Sequence, residues 1–257
     1  VPLRTERPAD GRMSLLEHLL EVRKRFVLVA VGLVLGAVLG WYAYDPLMEL
    51  LQAPLKEASE ARDIPVTLNF TGLTAALDTK IKVSLFLAVF LTCPWWLYQF
   101  WAFVTPGLTS KERRYAFGFV GAAVPLFLAG AFMAWLVLPH AVGILTGFVP
   151  DDTSNFNNAQ EYLSFVMRLI LAFGLSFVSP VILVALNFAG IVQGKSLLAG
   201  WRWAVLIAFT FAAIITPTPD ALTMILVALP ICLLFFGAVG IAIMHDRQVE
   251  RRYADVA

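Results

Sequence analysis

Six apolar runs, interrupted only by scattered polar residues, alternate with short polar stretches along this chain, over positions 26–44, 83–104, 115–139, 162–189, 201–215 and 221–244. A membrane-crossing helix needs about 20 apolar residues, because the hydrocarbon core is about 30 Å thick and an α-helix rises about 1.5 Å per residue. Five runs meet that length or nearly so. The fifth in order, 201–215, reaches only about 22 Å, so it predicts a short span or one arm of a re-entrant hairpin with the sixth. The pattern therefore predicts an all-α, single transmembrane domain over 1–257 with six spans and both termini on one side.

Two of the connections carry their own helical signal. Ser14 and Glu17 stand as a capping box ahead of Leu15, Leu16, Leu19, Leu20 and Phe26 on one face, with Glu17, Glu21 and Arg25 on another. This predicts an amphipathic helix over about 14–25, lying in the headgroup layer before the chain turns into the first span. Glu17 and Glu21 are like charges one turn apart, and Arg25 relieves the second of them. The long connection 45–82 places Leu47, Leu50, Leu51 and Leu55 at helical spacing with Pro54 interrupting, which predicts a short surface helix. The connection 140–161 holds Asp151, Asp152, Asn155, Asn157 and Asn158 without a basic residue, and reads as a solvated turn because it lacks the glycine and terminal glutamate of a calcium loop.

Charge sets the orientation. Fourteen of the 19 Lys and Arg residues fall in the amino-terminal segment, around Lys111, around Lys195 and in the tail, against five (Lys56, Arg62, Lys80, Lys82, Arg168) on the alternate connections. Cytoplasmic loops hold the excess, so both termini are expected inside, in the cytoplasmic membrane. Trp41, Tyr42, Tyr44, Trp101, Trp135 and Trp201 lie near span ends, as an aromatic belt would place them. Arg23 to Arg25 precede a full-length span rather than a short apolar region with a cleavage site, so no cleavable signal peptide is expected.

Composition narrows the function classes. The chain is 60% hydrophobic and 14% charged with net charge +1, and its mean hydropathy is +0.78; a soluble domain carries about 25% charged residues. No basic cluster suggests nucleic acid. Cys93 and Cys232 sit in apolar runs without metal-ligand spacing, and His18, His140 and His245 are far apart at span ends, so neither metal nor cofactor is expected. No Walker loop, HExxH or GxSxG motif is present, and the spans show no inverted repeat or chain of acids suited to a small-solute or ion transporter, the rival reading alongside an intramembrane enzyme. Arg168, two turns into the fourth span, is the one obvious intramembrane charge and is expected to snorkel outward as an anchor. Gln99, Thr92, Ser176, Ser179 and Thr216 are neutral groups able to bond a neighbouring or partner helix. Pro94, Pro180 and Pro230 are expected to bend their spans.

Several fragments then fall in order: His18-Leu19-Leu20-Glu21-Val22-Arg23-Lys24-Arg25, Ala53-Pro54-Leu55, Gln99 to Leu108 (QFWAFVTPGL), Lys111-Glu112-Arg113-Arg114, Tyr162-Leu163-Ser164-Phe165, Ala172-Phe173-Gly174 and Thr216-Pro217-Thr218-Pro219-Asp220. Together they resemble TatC, the large subunit of twin-arginine protein translocases, over nearly the whole chain. The resemblance implies a cupped bundle of six helices with a short fifth and sixth. It implies a core translocase subunit, without hydrolytic activity, that binds twin-arginine signal peptides of folded precursors and works with TatA, TatB and the proton gradient. By motif, the signal's arginines fall to Glu21 and Glu112, with Arg23 and Phe103 grouped beside them. Guanidinium and carboxylate pair bidentately, a geometry lysine cannot reproduce. Pro54 and Asp220, with Pro94 and Pro180, match or extend positions expected to shape transport. Self-association and lipid contact are implied as well.

Two positions depart from the family pattern. Ser176-Phe177 is followed by Val178 where the family often has Glu, and Met224 stands where some members have Gln. Partner-helix contact is therefore expected from Gln99, Ser179, Thr216, Thr223 and Met224.

Overall fold

A computed structural model describes residues 15–60, 67–104, 112–146, 156–188, 190–215 and 221–254. Some side chains near the ends of these segments, those of Glu112 and Thr223 among them, lie outside the description. In chain order the elements are α1 (Leu15–Tyr42), α2 (Tyr44–Glu60), β1 (Thr67–Asn69), α3 (Ala75–Leu91), α4 (Cys93–Val104), α5 (Glu112–Thr146), β2 (Phe156–Asn158), α6 (Ala159–Phe188), α7 (Gly194–Ala199), α8 (Trp201–Ile215) and α9 (Ala221–Ala254). The fold is all-helical apart from β1 and β2, which pair in parallel, Thr67 opposite Phe156. Among the described residues four helices are long and apolar enough to cross a membrane, and α3 and α4, bent by 66°, reach that length only when taken together.

Several expectations from the pattern change. The amphipathic segment and the first span are one continuous helix, α1, without a turn between them. No Gly or Pro stands between Glu17 and Val31 to break it, and the Glu21 to Arg25 pair supports the turn in which it lies. The run 83–104 instead starts eight residues earlier, at Ala75, and bends by 66° at Thr92. Pro54 does not interrupt its helix but sits buried inside α2, whose Met48, Leu51 and Leu55 pack into the main core. Trp101 is no belt residue: it is 4% exposed and stacked on Phe119, ring centroids 4.1 Å apart. Helix α8 is 15 residues long, whereas α9 runs 34 residues and ends at Ala254 rather than Met244.

Glycines set how closely the helices approach. Gly32, Gly36 and Gly40 form one stripe on α1, and a Cβ on them would lie 2.7 Å from the Trp95 ring, 2.9 Å from Thr92 Cγ2 and 2.5 Å from the Ser84 carbonyl oxygen. Between α5 and α6 the fit is reciprocal: a Cβ on Gly130 would meet the Phe173 carbonyl at 2.5 Å, and one on Gly174 would meet the Phe127 ring at 2.7 Å. Lipid tails are as apolar as leucine, so such close packing, rather than hydrophobic expulsion, joins helices inside a bilayer. Phe127, Phe173, Leu163, Leu169 and Val166 are fully buried around that seam.

Polar side-chain contacts close the two ends of the bundle. At the α2 end, Tyr162 donates to the Leu51 carbonyl at 3.1 Å, Gln160 donates to Asp78 at 2.8 Å, and the Lys80 ammonium stands 4.7 Å from the Trp41 ring centre. At the opposite end Gly190 adopts a left-handed φ of +72° that turns the chain out of α6. Asn187 there donates to the Val192 carbonyl and to Asp246 Oδ1, and the Gly194 amide donates to Asp246 Oδ2 at 2.7 Å. The α6 to α8 connection is thereby clipped to α9. Asn187 and Asp246 were legible in the sequence only as an amide inside an apolar run and an acid at the end of another.

Candidate functional site

The bend at Thr92 positions the site. Pro94, second residue of α4, has no amide hydrogen to continue the α3 ladder. At the break Ala88 O accepts both the Thr92 amide at 2.9 Å and the Thr92 hydroxyl at 2.8 Å, and Val89 O accepts the Trp96 indole at 2.9 Å. The Trp95 indole crosses to α1 and donates to Leu28 O at 3.0 Å, its ring lying against Gly32. That bond fixes the register of the antiparallel α1 and α4. One turn further along α4 and one turn back along α1, Gln99 meets Arg25.

The result is a three-residue relay. Arg25 Nε and Nη2 donate to Glu21 Oε1 at 2.9 and 2.6 Å, and Arg25 Nη1 donates to Gln99 Oε1 at 3.1 Å. Gln99 is 4% exposed, and the two charged side chains retain about a quarter of their exposure. Burial at that level keeps the pair only partly screened by water. Both Arg25 bonds fall on the same carboxylate oxygen, and among the described residues Glu21 Oε2 accepts no hydrogen bond. The relay thus fixes one oxygen of Glu21 and leaves the other as an acceptor.

The remaining expected residues distribute as follows. Arg23 is exposed on α1, and Phe103 is half-buried near the end of α4. Glu112 is the first residue of α5, two turns ahead of Phe119, on which Trp101 of α4 stacks. Helix α4 packs against both α1 and α5. Thr216 and Asp220 lie outside the described residues, and Thr223 falls in the first turn of α9. Met224 packs half-buried against the main core. Pro180 is buried inside the continuous α6, and Ser179 donates to the Ser176 carbonyl at 2.7 Å. The neutral groups expected to reach a partner helix, Gln99 and Ser179, therefore each have a bond within the chain. Among the described residues no group of His, Cys, Asp or Glu is placed to hold a metal.

Long apolar helices joined by glycine seams, with polar relays at their ends, define a multi-spanning membrane protein. The chain belongs to the TatC family: the family model described as Sec-independent protein translocase protein (TatC) matches residues 17–230. A Sec-independent protein translocase protein TatC of Xylanimonas cellulosilytica is 64% identical over 253 residues, covering 97% of this chain and 92% of that one. TatCy of Bacillus subtilis is 35% identical over 246 residues, covering 95% and 94%. Two crystal structures of the twin arginine translocase receptor TatC share the fold. One, in DDM, has a TM-score of 0.77 at 30% identity over 88% of this chain and 99% of that chain, and the other a TM-score of 0.73 at 28% identity over 88% and 97%. The chain is thus a protein translocase subunit of the Sec-independent kind.

Proposed function

We propose that this chain is the signal-peptide receptor and core of a twin-arginine translocase, gripping the paired arginines of a folded precursor's signal on Glu21 and Glu112. It sits in the cytoplasmic membrane with both termini inside and hydrolyses nothing itself. With TatA and TatB it carries the cargo across at the expense of the proton gradient. The observation that carries the reading is the relay at Glu21: Arg25 and Gln99 hold the carboxylate by one oxygen and leave Oε2 to receive an incoming guanidinium. Glu112, at the start of α5 on the other side of α4, supplies the second acid, with Arg23 and Phe103 beside the track. Pro54, Pro94 and Pro180 shape the helices behind it, and Asp220 belongs to the same shaping group. Contact with TatA, TatB or a second copy falls to Thr216, Thr223 and Met224 more than to Gln99 or Ser179, whose polar groups are already bonded internally.

Photo-crosslinking of a twin-arginine signal peptide to membranes holding the full chain tests this. Charge-assisted hydrogen bonds are worth about 1.5–3 kcal/mol each, so Glu21→Ala or Glu112→Ala should weaken crosslinking by about tenfold or more at unchanged protein level. A signal with two lysines should behave like the variants. Undiminished crosslinking in the Glu21→Ala, Glu112→Ala double variant rejects the assignment.

A further inference from the structure

A groove of about 510 Å³ runs between α3 and α6, away from the Glu21 relay and independent of the function proposed above. Its polar end carries Lys82, Ser164 and Arg168, and its wall beyond them is Phe86, Val89, Met167 and Leu171. The two helices run in the same direction from the paired β1 and β2, so the polar end is the α2 end of the bundle. Lys80, against the Trp41 and Tyr44 rings at 4.7 and 5.1 Å, marks that level as the one where aromatic and basic side chains meet lipid headgroups.

Both charged residues that line the groove are cations. Lys82 pairs with Asp78 at 2.6 Å, and Asp78 also accepts from Gln160. Arg168 spends only Nε, on the Ser164 carbonyl at 2.9 Å, and among the described residues it has no carboxylate partner. Asp78 offsets Lys82, and it and Glu161, two turns before Arg168 on α6, lie outside the lining. The wall beyond the two cations, Phe86, Val89, Met167 and Leu171, is apolar over about 10 Å, the rise of seven helical residues, and so matches one acyl chain lying along it.

We propose that this groove seats one anionic phospholipid, its phosphodiester between Lys82 Nζ and the Arg168 guanidinium and one acyl chain along Phe86, Val89, Met167 and Leu171. An anionic headgroup meets the two cations of the lining. A zwitterionic one brings its own ammonium against Arg168 and is disfavoured.

The test uses the purified full chain in detergent, delipidated and then titrated with phosphatidylglycerol or phosphatidylcholine of the same acyl chains, with bound lipids counted by native mass spectrometry. The wild type retains one phosphatidylglycerol in preference to phosphatidylcholine. Removing one cation with Arg168→Gln lowers that preference about fivefold, since a basic residue near a lipid surface contributes about 1 kcal/mol. Lys82→Gln lowers it further, because Asp78 is left unopposed, and Arg168→Lys retains most of it. Leu85→Trp, at an exposed position lining the groove, expels the lipid without changing charge. Equal retention of the two lipids by the wild type overturns the proposal. So does a preference that survives the Lys82→Gln, Arg168→Gln double variant, or a bound single-span polypeptide that Leu85→Trp displaces in place of lipid.

Discussion

Helices α1 and α6 are both long enough to cross a bilayer, yet the protein treats them differently. Half of the most apolar window of α6 is buried within the bundle, against 11% of that of α1. Helix α6 is covered by α5 and α9 and, in its amino-terminal half, by α2 and α3. Helix α1 touches its neighbours along one glycine stripe and presents Phe26, Val34, Leu35 and Leu39 outward. Hydropathy alone cannot separate these cases, because lipid and protein interior reward the same side chains. What separates them is the distribution of small and polar residues. Helix α6 holds its place by volume, through Phe173, Phe177 and Leu163. Helix α1 holds its place by geometry, through Gly32, Gly36 and Gly40, and by two polar links, Trp95 to Leu28 and Arg25 to Gln99. The proposed receptor acid stands on the less covered helix, where an incoming peptide has access.

The contrast breaks most severely at α6. Phe173→Ala removes a fully buried ring from the main core, at a residue whose carbonyl packs against Gly130 of α5. Burial of this kind costs about 3–5 kcal/mol to lose, so the purified protein should show a large drop in thermal midpoint, and α5, α6 and α9 should lose protection from hydrogen exchange together. Confinement of the loss to α6 would mean that the core is not one cooperative unit. At α1 the effect should be smaller and local. Gly36→Leu forces a side chain into Ala88, where even a Cβ would stand 3.1 Å from the Ala88 Cα. Overpacking costs about 1–3 kcal/mol, and because only one seam holds α1, exchange should rise along α1 and α4 while the α5–α6 amides keep their protection. Signal crosslinking at Glu21 should fall with it, since Gln99 can no longer meet Arg25.

Much of this division was legible in the sequence, for reasons the residues make plain. Span positions follow from apolar run length, and the Glu21–Arg25 pair from i, i+4 spacing, because both depend on near neighbours along the chain. The short α8 and a helix in the 45–82 connection were read the same way. The stripe Gly32, Gly36, Gly40 was present as a spacing of four but points to nothing until its partner helix is known. The bend at Thr92 was hidden inside an unbroken apolar run, where Pro94 promised a kink without its angle. Gln99 illustrates the limit on the site: a lone amide in an apolar run has many available partners, and only the α1–α4 register selects Arg25. The same holds for Asn187, which bonds Asp246 across 59 residues of chain.

The smallest effect distinguishes how α6 keeps its buried face while carrying a proline that α1 lacks. Pro180 has no amide hydrogen for the Ser176 carbonyl one turn back, an oxygen that in a bilayer finds no water to bond. The Ser179 hydroxyl donates to that oxygen at 2.7 Å, so the helix continues through Pro180 without a break. Ser179→Ala should then cost about 1 kcal/mol, the net worth of an ordinary hydrogen bond, and appear as a small fall in thermal midpoint. In a Pro180→Ala background the restored amide meets the Ser176 carbonyl itself, and the same Ser179→Ala change should cost less than half as much. A double-mutant cycle over the two positions measures that coupling directly. Strictly additive costs would show that the hydroxyl is not standing in for the missing amide, and that the tight packing of Phe173 and Phe177 alone carries α6 past its proline.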